Sequence, residues 1–150
     1  MPTPFRFKLD KVLEYRRQQE ERAMMALAEA RMQHRRLSDA LDAIIAAREA
    51  AEAALAGRAD LTTADIWLWQ RYRERLALDL ERAATQLRAQ AEVVAKAQAE
   101  LIDRARDRKL LDKLKTRQAA LHAKAENLAE QKEFDEMSSL RFRHQDISAL

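Results

Sequence analysis

Apolar residues in the first third of the chain recur at alternating steps of three and four positions. One row of this heptad repeat starts at Leu13 and a companion row starts at Leu9. This spacing puts the apolar side chains on one stripe of a helix, which can pack against a partner helix. Several positions are small or polar, so the sequence predicts a real but weak coiled-coil contact. The rows read Leu13, Glu20, Leu27, His34, Leu41, Arg48 and Leu55, with Leu9, Arg16, Ala23, Ala30, Leu37, Ile44 and Ala51 beside them.

A second heptad pattern follows Thr62 and predicts a second helix. Thr62 with Asp65 three positions later is a weak form of the capping box, which is typical of a helix start. Beyond residue 108 we expect the apolar rows to shift by one position, which locally overwinds or loosens a coiled coil. The rows are Ile66, Arg73, Leu80, Leu87, Val94 and Leu101, with Trp69, Leu76, Ala83, Gln90 and Ala97, and then the shifted Leu111, Leu114, Leu121, Ala125 and Leu128.

The chain has one place to bend. Gly57 is its single glycine, and no proline follows Pro4. We expect Gly57 to take the left-handed conformation that ends many helices, and Thr3 and Pro4 to start the first helix. The sequence therefore predicts an all-α fold, an antiparallel coiled-coil hairpin in one elongated domain. Its parts are helix 1 at about 5–56, a turn at 57–61, helix 2 at about 62–139 and a flexible tail at 140–150.

The two predicted helices differ in length. At about 1.5 Å per residue, the first is about 75 Å long and the second about 115 Å. If the first helix pairs with residues 62 to about 112, about 40 Å of the second helix overhangs as a single helix. An isolated helix in water is only marginally stable. The overhang is therefore expected to need a partner.

Composition narrows the possible functions. Charged residues make up 35% of the chain, and its 28 basic and 25 acidic residues are interleaved, which is typical of a solvated helix surface rather than a nucleic-acid site. The chain has no cysteine, no phosphate-binding loop, and three histidines that lie far apart. We therefore expect no enzyme activity, no metal and no cofactor. No apolar run approaches the length of about 18 residues that a membrane span needs, and no secretory signal is expected, so a cytoplasmic protein is predicted.

Charge is concentrated near the C-terminal end of the chain. Residues 104–117 contain seven basic and two acidic side chains, and acidic residues dominate from Glu126 to Glu136. One interpretation is a solvated face with ion pairs between neighbouring turns. The other is a basic collar and an acidic end that complement a charged protein ring or channel.

Two aromatic clusters stand out. In residues 66–78, Trp69 and Leu76 belong to the predicted coiled-coil contact, whereas four others lie outside it and indicate an interaction surface. The alternative is that these four stiffen the turn. The second cluster, near the N-terminus, is expected to plug the open end of the helix pair. The clusters are Trp67, Leu68, Tyr72 and Leu78, and Phe5, Phe7, Leu9, Val12 and Tyr15.

Four stretches resemble the FliJ family, the small coiled-coil component of the flagellar type III export apparatus. They are FRFKLDKVLEYRR at residues 5–17, AEA at 28–30, KLKTR at 113–117 and EQKEFDE at 130–136. The resemblance covers nearly the whole chain. The combination of the N-terminal Phe, Leu and Tyr-Arg positions with the charged C-terminal stretch is its most specific part.

The resemblance implies a non-enzymatic coiled coil similar to the central stalk of rotary ATPases. Such a stalk enters and activates the hexameric export ATPase FliI, contacts the export-gate membrane protein FlhA and helps to escort export chaperones. It implies a monomer at the cytoplasmic face of the membrane, without direct membrane insertion or nucleic acid. The ATPase-binding residues would be Phe5, Leu9, Leu13, Tyr15, Arg16, Arg17, Leu114, Arg117, Glu130, Lys132 and Asp135. The family's position for gate contact matches Trp69, Tyr72 and Leu76, and the neighbouring Trp67, Leu68 and Leu78 complete the expected gate-binding set.

Two other functions stay open at this point. The same fold and ATPase partner would suit the stalk of a virulence type III secretion system. A structural coiled-coil dimer without an ATPase partner is the second alternative.

Overall fold

The computed structural model describes residues 3–149, which contain two helices, α1 (Asp10–Ala56) and α2 (Thr63–Ser148). α1 has 47 residues and α2 has 86, and the two pack against each other in antiparallel directions. The predicted all-α antiparallel pair with a longer second helix is thus confirmed. Neither helix contains, within the described residues, an apolar stretch long enough to cross a lipid bilayer.

Contacts within the chain define two compact units, so the single domain stays a prediction. Residues Gln19–Arg104 form one, called the turn unit below because it contains the connection between the helices. Residues 3–18 and 105–149 of the described chain form the other, called the terminal unit.

The predicted heptad rows form the contact between the helices of the turn unit. Ala23, Leu27 and Ala30 of α1 are buried there, as is Leu76 of α2. Alanine at these positions lets the two backbones approach closely. The side-chain amide of Gln90 donates a hydrogen bond across the contact to the carbonyl oxygen of Ala30 at 3.1 Å. Most other members of the rows are half-buried, which agrees with a weak contact.

The start of α2 is held by the predicted capping box. The Asp65 N–H donates to Thr62 Oγ1 at 3.2 Å, and the Thr62 N–H donates to Asp65 Oδ2 at 3.1 Å. These bonds satisfy main-chain donors that have no partner inside the helix. The hydrogen bond from the Thr62 backbone is the largest cause of a lowered pKa of the Asp65 carboxyl, and the Thr62 hydroxyl and Arg58 add to it. Thr62 therefore caps a helix that begins at Thr63.

Gly57 ends α1 in a different way from the one expected. Its φ angle is not positive, so the left-handed conformation was wrong. The Gly57 N–H still donates to the Ala53 carbonyl oxygen at 3.2 Å, as in a regular helix. The next N–H, of Arg58, donates to Leu55 at 3.2 Å, which tightens the last turn. The helix closes through this shorter hydrogen bond and needs no left-handed residue.

The start of α1 differs most from the sequence prediction. α1 begins at Asp10 rather than near residue 5, and residues 3–9, called the N-terminal strap below, are not helical. The Asp10 N–H donates to the Phe7 carbonyl oxygen at 3.2 Å, which turns the chain into the helix. The strap lies along α2 in the terminal unit, where Thr3 bonds to Glu126 and Phe5 packs on His122. The predicted helix start at Thr3 and Pro4 was wrong because Phe7 is buried by this path.

An extended path also explains how far the strap reaches. Lys115 Nζ pairs with Asp10 Oδ1 at 2.9 Å, and Thr3 Oγ1 donates to Glu126 Oε1 at 2.7 Å. The seven-residue step from Thr3 to Asp10 therefore matches the eleven-residue step from Lys115 to Glu126, which is about 16 Å of helix. Seven helical residues would cover only about 10 Å. The overhang consequently begins after Glu126, rather than near residue 112.

The other end of α2 also corrects the prediction. The helix continues to Ser148, so residues 140–148 are helical rather than a flexible tail, and Leu150 lies outside the described residues. The Ala149 N–H donates to the Gln145 carbonyl oxygen at 3.1 Å and closes the final turn. Because no glycine or proline follows Gly57, the local sequence offers no residue that would end the helix earlier.

One row of the α2 contact face keeps its heptad phase in the terminal unit, since Arg108, Lys115 and His122 recur at seven-residue intervals and are half-buried. The companion row moves on by one position, because Ala119 and Glu126 are half-buried and Gln118 is exposed. The predicted shift onto Leu121 and Leu128 was wrong, because both are exposed. Polar residues thus continue the contact where the sequence had suggested a shifted apolar stripe. Of the other residues in the predicted shifted row, Leu111 and Leu114 are half-buried and Ala125 is exposed.

Candidate protein-binding surfaces

The C-terminal part of α2 is a fully exposed helix. Every residue from 127 to 149 is exposed, and residues 127–148 are called the free helix below. It carries both charged and large apolar side chains, among them Phe134, Met137 and Leu140. A helix of 22 residues is about 33 Å long. The terminal unit therefore presents a long single helix that other molecules can contact from all sides.

The predicted ATPase-binding residues all lie in the terminal unit. Those from Phe5 to Arg17 lie alongside residues 107–126 of α2, as the ion pair of Arg16 with Asp107 and the bond from Thr3 to Glu126 indicate. Three others lie on the free helix. In this set Leu13 is buried, Phe5, Arg16 and Leu114 are half-buried, and Leu9, Tyr15, Arg17, Arg117, Glu130, Lys132 and Asp135 are exposed.

Burial removes one member of this set from the binding surface. Leu13 is 1% exposed, so it packs inside the terminal unit and has no surface to offer a partner. Phe7, which the sequence grouped with it, is also buried. Both residues support the helix pair, whereas the neighbouring Tyr15 keeps half of its surface exposed.

The two arginines of α1 are engaged in ion pairs across the terminal unit. Arg16 lies 3.4 Å from Asp107, and Arg17 lies 3.1 Å from Asp112. Asp112 also accepts from Arg108 at 2.9 Å. The hydrogen bond from Arg108 is the largest cause of a lowered pKa of the Asp112 carboxyl, and Arg17 lowers it further. Arg16 and Arg17 are therefore part of the fold as well as candidate contacts.

A second polar cluster fastens the strap, and sequence reasoning missed it. Glu126 accepts a 2.7 Å bond from the Thr3 hydroxyl and lies 3.7 Å from His122 Nε2. The Phe5 ring packs on the His122 ring with 5.7 Å between centroids. The bond from Thr3 is the largest cause of a lowered pKa of the Glu126 carboxyl. The available signal was Thr3 before Pro4, because a residue before proline favours an extended backbone.

The aromatic patch lies at the start of α2 in the turn unit. Trp67 is 54% exposed, and Leu68, Tyr72 and Leu78 are also exposed. Trp69 is half-buried and packs on Tyr72 with 6.1 Å between ring centroids.

Trp67 and Leu76, both in the predicted gate-binding set, differ in how accessible they are to a partner. The guanidinium of Arg71 sits 5.0 Å above the Trp67 ring, which holds that ring in place by a cation–π contact. Leu76 is buried between the helices and cannot take part in a partner contact.

These features define an all-α coiled-coil protein with an exposed free helix and an exposed aromatic patch. A family model described as "Flagellar FliJ protein" matches residues 5–146, and the chain belongs to this family. It is therefore a component of the flagellar type III protein export apparatus. Searches of curated proteins and of solved structures found no match.

Proposed function

We propose that the chain is a non-enzymatic stalk that inserts its terminal unit into the hexameric export ATPase, FliI, and activates it. The observation that carries the proposal is the free helix, exposed along its whole length. An α-helix with its side chains is about 10–12 Å wide. A single helix, followed by a section covered by the strap, suits a pore one or two helices wide.

The contact residues of the proposal are the exposed ones. The free helix carries Glu130, Lys132 and Asp135, and both signs of charge allow complementary pairing that fixes orientation inside a ring. Tyr15 and Arg117 add an amphipathic ring and a guanidinium nearer the strap. Leu13 supports these residues from inside and is not a contact.

Charge inversion on the free helix tests the proposal. We expect Glu130→Lys, Lys132→Glu and Asp135→Lys together to abolish stimulation of a purified FliI ring. Helicity measured by circular dichroism should stay unchanged, because these side chains are exposed. Arg16 and Arg17 are poorer choices because their loss also breaks ion pairs.

The control for this measurement is Arg82→Glu, an exposed position in the turn unit. It should leave stimulation intact. Full stimulation by the triple variant would contradict insertion of the free helix.

We further propose that the aromatic patch binds the export gate, FlhA. Aromatic side chains are frequent anchors at interfaces. Trp67 and Leu78 are exposed near the start of α2, in the turn unit. Trp67→Ala with Leu78→Ala should weaken binding to the purified cytoplasmic part of FlhA at least tenfold. The control is Val93→Ala, an exposed apolar residue of the same unit. A loss of helicity in the double variant would make the patch structural and refute this assignment.

The remaining parts of the proposal concern partners and location. Binding of export chaperones and a position at the cytoplasmic face of the membrane, at the flagellar base, follow from the same export role. The family model supports the flagellar system over a virulence system. Neighbouring genes for flagellar components would test that choice, and chaperone co-purification would test the escort role.

A further inference from the structure

Three leucines of the terminal unit form an exposed row on α2. Leu110, Leu121 and Leu128 are 61%, 60% and 57% exposed. They are spaced by eleven and seven residues, which places them on one face of the helix. The row covers about 27 Å of helix length. An apolar row of this length on a helix surface is typical of a face that packs against another helix.

The strap leaves this row uncovered. The strap contacts the face of α2 that contains Lys115, His122 and Glu126. Successive residues of a helix are about 100° apart, so His122 lies about 100° around the helix from Leu121. The leucine row and the strap face are therefore separate, and a partner can reach the row while the strap stays in place.

Four cations lie beside or within the leucine row. Arg117 holds the heptad position after Leu110, so it stands in the row between Leu110 and Leu121. Arg106, Lys113 and Lys124 lie three or four positions from one of the leucines, which makes them neighbours of the row on the helix surface. All four are exposed, and within the described residues none has an acidic oxygen within 4 Å. In contrast, Arg108 and Lys115, on the strap side, are paired. The charge beside the leucine row is therefore left without a counter-charge.

We infer that the leucine row and its basic flank bind an acidic amphipathic helix of another protein. The partner helix presents an apolar heptad stripe of about five turns, with Asp and Glu on the side that meets the basic flank. Apolar contact supplies the anchor, and the opposite charges fix the direction and speed association. The partner lies along α2 as a second helix of a coiled coil.

A second copy of the chain fits this surface poorly. The heptad position after Leu128 is Asp135, which interrupts the row with a charge. An antiparallel pair centred between Leu121 and Leu128 brings Lys124 of one copy against Lys124 of the other. In a parallel pair, each of the four cations lies beside the same residue of the second chain. Both arrangements place like charges together, which disfavours self-pairing.

A designed peptide tests the inference without the natural partner. The probe is a 28-residue helix with leucines in the heptad core and glutamates on the flanks, labelled for fluorescence anisotropy and used with the full chain. We expect saturable binding that weakens at least tenfold in the Leu121→Gln, Leu128→Gln variant. The Lys113→Glu, Arg117→Glu variant should also lose at least tenfold, and a peptide with lysines in place of the glutamates should bind this variant better than the native chain.

Matched controls distinguish binding of the peptide to this surface from nonspecific binding. Leu140→Gln changes an equally exposed leucine of the free helix, and Lys96→Glu changes an exposed lysine of the turn unit, away from the row and its basic flank. Both should bind the probe like the native chain. Equal losses in the control and row variants, or no binding of the glutamate peptide, would overturn the inference. So would a concentration-dependent dimer in sedimentation that the row variants abolish, or duplex DNA that binds regardless of the leucine substitutions.

The inference does not depend on the proposed stalk function. Arg117 belongs to both surfaces, but the peptide measurement contains no ATPase. Failure of the native chain to bind the glutamate peptide, with intact ATPase stimulation, would reject this surface alone. Peptide binding that depends on the leucine row, without any ATPase stimulation by the native chain, would reject pore insertion alone.

Discussion

The strap is a tertiary feature whose strength can be tested at one residue. Phe7 is 5% exposed, so truncation to alanine removes nearly all of its buried ring surface. Buried Phe→Ala substitutions cost about 3–5 kcal/mol. A strap lying on one helix can relax around the missing ring, so we take the lower end, about 3 kcal/mol. At about 1.4 kcal/mol per factor of ten, this free energy shifts the closed–open equilibrium of the strap by roughly 150-fold.

Amide hydrogen exchange measures this equilibrium directly. The Asp10 N–H bonds to the Phe7 carbonyl oxygen, and the Leu13 N–H bonds to that of Leu9 at 2.8 Å. Both bonds involve the strap, so protection of these amides should fall about 100-fold in the Phe7→Ala variant. Phe134→Ala is the matched control, because the same ring on the free helix is 69% exposed. Equal protection of Asp10 and Leu13 in the two variants would refute the buried role of Phe7.

Three further predictions concern single contacts. The Thr3 bond lowers the pKa of Glu126 in the folded chain, so it stabilises the strap at pH values above the ordinary pKa of 4.5, and this stability is lost as the pH falls through the lower pKa of the folded chain. Thr3→Val should return the pKa of Glu126, measured by carbon NMR, toward 4.5. Thr62→Ala should destabilise the chain in urea by about 1 kcal/mol, since the hydroxyl that caps α2 is lost, and should raise the pKa of Asp65 only in part, because the Thr62 N–H that lowers it most remains; unchanged stability in urea would contradict the cap. Gly57→Ala should stabilise by about 0.4–1 kcal/mol in thermal melts, because its φ is not positive and a Cβ there meets carbonyl oxygens only at 3.7 and 3.8 Å; destabilisation would indicate a left-handed glycine.

Local patterns predicted those parts of the fold that local patterns determine. The heptad rows identified Ala23, Leu27, Ala30 and Leu76 as contact residues because their spacing alone places them on one face. The start of α2 was predictable for a similar reason, since Thr62 and Asp65 are neighbours in sequence and bond to each other.

The strap could not be predicted in this way. Its path depends on contacts with residues more than one hundred positions away, as in the bond from Thr3 to Glu126. The repeat continues through Leu9 whether or not the backbone before Asp10 is helical, so the apolar pattern did not mark the true start. The start of α1 is set by the burial of Phe7 in the tertiary structure, because such contacts often override a weak helix propensity.

The candidate surfaces were predicted only in part. Composition located the aromatic patch and the charged end. The heptad rows had placed Leu13 and Leu76 in the helix contact, and both are buried there although the family resemblance counted them among the binding residues. Trp67, which the rows leave outside the contact, and Tyr15 keep large exposed areas. The contact face of the terminal unit was missed because it is polar, and an apolar pattern cannot reveal a face built from Lys115, His122 and similar side chains.

This polar contact face bears on how the terminal unit would work as a stalk. Its buried apolar side chains, within the described residues, are Phe7 and Leu13. The other contacts across the unit are partly exposed: the Phe5 and His122 rings pack together, and ion pairs join Arg16 to Asp107 and Lys115 to Asp10. Such ion pairs contribute between zero and about 1 kcal/mol each. A partner that binds only the closed form of the unit adds to this stability by mass action. A ring or helix that encloses the terminal unit would therefore order it, and salt, which screens the ion pairs, should weaken the free unit more than the enclosed one.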